Sequence, residues 1–219
     1  MPVNKEVYLE ISTALKEKHV ALVAVSKTKL ANEIKDLYDL GQKDFGENYV
    51  QELVDKYQEL PKDINWHFIG HLQSNKVKYI APFVNLIHGV DSMKLLQEID
   101  KQAARNNRII NVLLQMHIAS EETKFGMDEA ELDGVMAKLS EEPLNNIKVV
   151  GLMGMASFTS DQEKVRNEFR FLKSVFDQWP NFTILSMGMS GDYQIAIDEA
   201  STMVRIGSLI FGERRKGSE

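Results

Sequence analysis

Hydrophobic and polar residues alternate along this chain in two rhythms. Over residues 5–18, Val7, Tyr8, Ile11, Ala14 and Leu15 recur at helical spacing between charged residues. A continuous apolar run, Ala21-Leu22-Val23-Ala24-Val25, follows at once. A run of that length, rich in Val, predicts a strand buried on both faces, the kind that helices cover in parallel sheets. The two rhythms then repeat. A helix over 32–40, capped by Asn32 and stopped by Gly41, leads to a short strand at 43–46 and a helix entered from Glu47. Strands follow at 64–70, 86–91, 110–118, 148–155, 183–187 and 203–208. Helical stretches at 74–80, 92–105, 128–139, 161–178 and 191–197 separate them.

Regular strand–helix alternation predicts parallel strands joined by right-handed crossovers. Eight such units predict an α/β protein built as a single (β/α)8 TIM barrel, with an extra N-terminal helix capping one end. Residues 1–219 read as one domain, since no Pro-rich hinge, low-complexity segment or long linker interrupts them. An open doubly wound sheet is the alternative. It would place a Gly-x-Gly-x-x-Gly turn after the first strand, where Ser26-Lys27-Thr28-Lys29-Leu30 stands.

Composition narrows the functional classes. The chain is 43% hydrophobic and 26% charged, with a net charge of -6, which disfavours general nucleic-acid binding. The basic cluster Arg214-Arg215-Lys216 reads as a solvated tail. No apolar run approaches membrane-spanning length, and the first residues lack the apolar core of a signal peptide. The absence of Cys excludes disulfides and thiolate metal sites and suits a cytoplasmic protein. No apolar stripe on the surface helices demands a partner, so a monomer is expected.

Candidate chemistry gathers at the strand ends. Period-two alternation puts Val23, Val25, Lys27 and Lys29 on one face of the first strand, with Lys27 where that strand runs out. Lys27 is either a snorkelling lysine that covers apolar surface or a partly desolvated amine suited to attack an aldehyde. In TIM barrels phosphate is often held by the loops after the last two strands. Here those loops are Gly188-Met189-Ser190-Gly191 and Gly207-Ser208. Their glycines let backbone N–H groups approach an anion, and Ser190 can cap the next helix. Arg205 interrupts an otherwise apolar strand, as a buried ion pair or as a ligand contact. His67 and His71 lie four apart but across a strand end, which argues against a metal site. His88 and His117 read as interior histidines. Met153, Met155, Met187 and Met189 read as packing near strand ends.

Five segments occur in order: Val25-Ser26-Lys27-Thr28-Lys29, Phe45-Gly46-Glu47-Asn48-Tyr49-Val50-Gln51-Glu52, Trp66 to Lys76, Ser186 to Ser190, and Val204 to Gly207. Together they resemble the pyridoxal phosphate homeostasis protein family, over nearly the whole chain. The resemblance implies a barrel like the N-terminal domain of alanine racemase. It implies pyridoxal 5'-phosphate held as an internal aldimine on Lys27, with Arg205 at the pyridine nitrogen and Ser190, Gly207 and Ser208 at the phosphate. Asn48 and His71 match motif positions at the barrel mouth. A guanidinium cannot give up its proton at neutral pH. It would leave the ring a weaker electron sink, which favours holding the cofactor over consuming it. The implied role is storage and delivery of the cofactor to apo-enzymes, with no catalytic residues.

Leu30 stands where the family usually has Pro. His117 replaces a frequent Asn, Ala200 a frequent Gly, and the N-terminal segment is short. A racemase is the alternative use of the same half-site. It would need a second, β-rich domain and a tyrosine base, for which 219 residues leave no room. A third reading keeps the anion loops for another phosphorylated metabolite, with Lys27 as a point charge.

Overall fold

The computed structural model describes residues 3–121 and 125–212, so the cluster Arg214-Arg215-Lys216 lies outside the described residues. In chain order the elements are α1 (Lys5–Glu17), β1 (Ala21–Val25), α2 (Ala31–Asp39), β2 (Asp44–Glu47), α3 (Val50–Glu59), β3 (Asn65–Phe68), α4 (Val77–Ile80), β4 (Leu86–Val90), α5 (Met93–Arg105), β5 (Ile110–Met116), α6 (Glu129–Glu141), β6 (Ile147–Gly154), α7 (Gln162–Phe176), β7 (Ile184–Met189), α8 (Tyr193–Asp198), β8 (Met203–Ile206) and α9 (Ser208–Phe211). Each strand pairs in parallel with the next, and β8 returns to β1, so the sheet closes into a barrel.

The period of two sorts the core into an inner and an outer part. Val23, Leu86, Leu113, Val150, Met153 and Met203 pack together inside the barrel. Their strand neighbours, among them Leu22, Ala24, Ile87, Leu152 and Val204, pack outward against the helices. His67, His88, Ser186 and Arg205 alternate with outward-packed neighbours, so they face inward, and all four are buried. α1 packs outside the barrel against β1 and α9, and its Tyr8 side chain reaches the connection into β2. The Tyr8 hydroxyl donates to Gln42 Oε1 at 3.3 Å, and the Gln42 amide donates to the carbonyls of Leu22 (2.8 Å) and Asp44 (2.7 Å). The sequence pattern predicts a helix capping one end of the barrel; the helix packs against the outer wall instead, and the Asn4 N–H before it donates to the Ile210 carbonyl after β8.

Local boundaries depart from the sequence pattern in ways that matter for the site. α2 starts at Ala31, with Leu30 as its cap residue, and Asn32 accepts only from its neighbour Glu33. Glu47 ends β2 rather than opening α3, because it lies fully buried in register with Phe68. β5 ends at Met116, which leaves His117 half-buried beyond it and bonded to the carbonyl of Glu121 at 3.0 Å, outside the barrel interior. β8 ends at Ile206, so Gly207 and Ser208 belong to the turn and to α9.

Candidate functional site

A cavity of about 490 Å³ opens at the C-terminal ends of the strands. It collects Lys27, Asn48, Ser190, Arg205, Gly207 and Ser208 from four different connections of the barrel. Met155, Met189 and the almost fully exposed Phe158 supply apolar wall. His71 is not in this cavity. It lines an adjoining cleft that shares Asn48, stands 3.6 Å from the Asp91 carboxylate and stacks on Phe125 at 4.0 Å.

The turn after β1 presents Lys27. β1 stops at Val25, and Thr28 takes a left-handed conformation, φ 63°, which reverses the chain. A residue without special tolerance for that region needs outside support, and α3 supplies it. Lys56 on α3 donates to the Ser26 carbonyl, to Glu47 Oε1 and to Glu52 Oε1, each at 2.7 Å. Glu52 Oε1 accepts the Thr28 N–H at 2.5 Å, and the Ser26 hydroxyl donates to Glu47 Oε1 at 2.5 Å. Burial pushes the Glu47 carboxyl up to about 7, against the pull of Lys56. Its second oxygen is buried without a hydrogen-bond partner. The same turn separates the two lysines. Lys29 donates to the carbonyls of Phe211 (2.8 Å) and Gly212 (3.2 Å), so its amine ties the turn to the segment after α9. The clamp was missed in the sequence, where the only signal is Glu52 and Lys56 spaced four apart on a helix.

Two turns from the last strands meet opposite Lys27. Gly188 has φ 95°, and a Cβ there would sit 2.6 Å from the Ala196 side chain, so glycine alone fits. Ser190 does not cap α8. Its hydroxyl oxygen accepts the Gly207 N–H at 3.2 Å, joining the β7 turn to the β8 turn and leaving the hydroxyl proton to donate elsewhere. Asp192 takes the position before α8, and its carboxylate accepts the Met189 N–H at 2.6 Å. A Cβ at Gly207 would lie 3.2 Å from the Val25 carbonyl, so the small residue lets the β8 turn approach β1 closely.

Arg205 forms the floor. Its guanidinium is buried and donates from Nη1 to the Ser186 carbonyl (2.9 Å) and hydroxyl (2.6 Å), and from Nη2 to the Gly154 carbonyl (3.1 Å). Burial brings its pKa down to about 10, partly offset by the charge of Asp192. Asn48 lines the rim of the cavity, and its Oδ1 is buried without a hydrogen-bond partner. Among the described residues no group of three or more His, Cys, Asp or Glu is arranged to hold a metal ion.

Comparison with known proteins follows the same outline. Residues 8–215 match the family model for the alanine racemase N-terminal domain. The pyridoxal phosphate homeostasis protein of Aquifex aeolicus is 43% identical over 200 residues, covering 89% of this chain and 87% of that protein. The Escherichia coli K12 protein of the same name is 40% identical over 203 residues, covering 89% and 86%. This chain belongs to the pyridoxal phosphate homeostasis protein family. A solved structure of PipY from Synechococcus elongatus PCC7942, with PLP bound, superposes with a TM-score of 0.82 at 34% identity, covering 93% of this chain and 99% of PipY. Alanine racemase of Clostridium difficile shares the fold at 15% identity and a TM-score of 0.73. Within the family's barrel, the cavity described above occupies the C-terminal face, where TIM-barrel chemistry resides.

Proposed function

We propose that this chain binds pyridoxal 5'-phosphate through the Lys27 amine and takes part in holding and delivering that cofactor in the cell. One observation carries the proposal: the barrel brings Lys27, at the end of its first strand, to face Ser190, Gly207 and Ser208 across a single cavity floored by Arg205. The residues suit the group. The Lys27 amine would meet the aldehyde, the Ser190 and Ser208 hydroxyls and the backbone at Gly207 would hold the phosphate, and the Arg205 guanidinium would lie by the ring nitrogen. Methionine side chains supply an apolar wall for the ring. When bound, the cofactor supplies an electrophilic aldehyde and a ring that can delocalise charge.

The chain's own residues favour retention over turnover. Arg205, locked by three hydrogen bonds, would keep its charge beneath the ring and not give up a proton to the ring nitrogen at neutral pH. Racemisation would need a second proton carrier opposite Lys27. Among the described residues no tyrosine or histidine lines the cavity, and of its other ionisable groups Lys29 is bonded to the Phe211 and Gly212 carbonyls and Asp192 to the Met189 N–H. A monomer serving apo-enzymes in the cytoplasm is the accompanying proposal. No helix among the described residues is long and apolar enough to cross a membrane.

Absorption spectra of the purified protein with pyridoxal 5'-phosphate, before and after borohydride, test the reading. A visible band that borohydride abolishes, with the added mass on the peptide carrying Lys27, is expected. Fixation on Lys29 would overturn the assignment. Robust change of optical rotation with alanine would overturn the carrier role in favour of a racemase. Transfer to an apo-enzyme faster than free dissociation is expected for delivery, and light scattering reads the oligomeric state.

A further inference from the structure

The inner face of the barrel contains a line of polar side chains that the cavity does not use directly. Starting at the floor, Arg205 Nη1 donates to the Ser186 hydroxyl oxygen at 2.6 Å. Ser186 Oγ lies 3.1 Å from His88 Nδ1, and His88 Nε2 lies 2.9 Å from His67 Nδ1. His67 Nε2 lies 3.0 Å from Asp44 Oδ1, at the first residue of β2. Five residues from β8, β7, β4, β3 and β2 therefore form one connected chain through the barrel, from the ligand cavity to its N-terminal end. Ser186, His67 and His88 are buried, while the Asp44 side chain is 36% exposed. The Asn65 amide also reaches Asp44 Oδ1, at 3.2 Å.

The proton positions follow from donor and acceptor rules. A carboxylate only accepts, so His67 Nε2 must carry a proton. His88 is fully buried between His67 and Arg205, and burial with those two neighbours holds its pKa well below the usual value, so it is neutral and carries one N–H. If that proton sits on His88 Nδ1, then His67 must supply the proton between the two rings and become a buried imidazolium. If it sits on His88 Nε2, every link is neutral. His88 then donates to His67 Nδ1, and the Ser186 hydroxyl donates to His88 Nδ1. In this second arrangement all bonds point one way, from the guanidinium to the carboxylate. Successive links polarise one another in the same sense.

We propose that Ser186, His88, His67 and Asp44 are positioning residues for Arg205, forming a one-directional hydrogen-bond chain that fixes the guanidinium at the cavity floor and joins its charge to a carboxylate at the opposite end of the barrel. The chain solves a specific problem. Arg205 is buried where a ligand ring is to lie, and its direct bonds go to two carbonyls and one hydroxyl. A carboxylate placed directly against it would occupy the floor and repel an anionic ligand. Asp192, the carboxylate on the cavity side, is held by the Met189 N–H. The chain carries the compensating charge away from the cavity through neutral links. This inference rests on the proposed place of Arg205 beneath the ring.

Nitrogen-15 spectra of the imidazoles and of the Arg205 guanidinium, taken first on the ligand-free protein, test it. Protonated Nε2 and unprotonated Nδ1 on both His67 and His88, with distinct slowly exchanging Nη signals from Arg205, are expected. A proton on His88 Nδ1, or a doubly protonated His67, would overturn the direction of the chain. Asp44→Ala removes the terminal acceptor at a partly exposed position and leaves the inner core intact. It should scramble both tautomers and speed Arg205 Nη exchange, whereas Asp44→Asn, which keeps an oxygen acceptor, should preserve the tautomers. Unchanged tautomers and Nη exchange in Asp44→Ala would refute the link. With pyridoxal 5'-phosphate added, Asp44→Ala and Ser186→Ala should shift the absorption maximum of the bound cofactor and weaken binding about threefold to tenfold, the worth of one ordinary hydrogen bond. An unshifted spectrum in both variants would refute positioning of Arg205. If the wild-type protein binds no cofactor, the proposed function fails while the ligand-free spectra still decide the chain.

Discussion

Lys27 and Lys29 stand two residues apart with the same chemistry, and only their surroundings separate them. Lys29 Nζ is committed to the carbonyls of Phe211 and Gly212, and Lys27 comes from a turn clamped by α3. Lys27→Ala should therefore abolish borohydride fixation while keeping measurable noncovalent affinity. Each remaining charge-assisted hydrogen bond contributes about 1.5–3 kcal/mol, and several remain. Equilibrium dialysis with the variant checks this, and complete loss of binding would contradict it. Arg205→Glu should do worse. It would set a buried anion against the Ser186 and Gly154 carbonyls that now accept from the guanidinium. An uncompensated buried charge costs about 3–5 kcal/mol, so urea unfolding should show a loss of that order together with weaker ligand binding. Unchanged affinity in Arg205→Glu would remove Arg205 from the ligand. Both residues were legible in the sequence because each breaks an apolar strand pattern. His71 was legible only as a motif position, and its placement in the neighbouring cleft depends on its stacking with Phe125, a contact with no sequence signature.

At the scale of elements, the alternation of patterns located all eight strands and the helices between them, while α9, a single turn after β8, reads in the sequence as strand end, and the other misses fall at element ends. Glu47 illustrates why. A carboxylate after Phe45-Gly46 reads as the start of a polar helix, yet Lys56 and the Ser26 hydroxyl make it tolerable inside the barrel wall. Such compensation comes from other elements and leaves no local trace. It also has a pH consequence. Glu47 binds its proton more tightly in the fold, where burial pushes its pKa up to about 7, than in the unfolded chain, where it has the ordinary glutamate value of 4.5. Its contribution is therefore fully present below the unfolded pKa and is lost as pH rises through about 7. Relative to Glu47→Gln, the wild type should lose at most about 3 kcal/mol of stability between those limits. Urea titrations of both proteins across that range provide the measurement, and a pH-independent difference would show that Glu47 ionises as it does in solvent. The β7 turn gives a second element-scale test. Gly188→Ala at φ 95°, with the new methyl against Ala196, should destabilise the protein by about 1–3 kcal/mol and displace Ser190 from Gly207. Normal stability and ligand affinity in that variant would mean that the turn adapts.

The whole molecule has a seam where its beginning meets its end. β1 and β8 pair through Ala21–Met203, Leu22–Val204, Val23–Arg205 and Ala24–Ile206, and Lys29 reaches across to Phe211. α1 adds to the same closure, since the Asn4 N–H donates to the Ile210 carbonyl at 2.9 Å and Tyr8 leans on Gln42. The proposed ligand spans this seam at the mouth of the barrel, covalent on one side and held through its phosphate on the other. Contacts across the seam are maximally distant in sequence, so they close late and at a large entropic cost in the unfolded chain. A ligand that binds only the closed barrel stabilises it by mass action, by about 2.7 kcal/mol at a hundredfold excess over Kd. For a domain of this size that corresponds to a rise in Tm of roughly 5–11 °C. The protection should not be uniform. Amide hydrogen exchange should slow most at the C-terminal ends of β1, β7 and β8 and in the turns around Lys27, Ser190 and Gly207. α5 and α6, on the opposite wall, should change little. Slowing spread evenly over the barrel would mean that the ligand stabilises the fold only globally, whereas slowing confined to the walls of the cleft around His71 would place the ligand there instead.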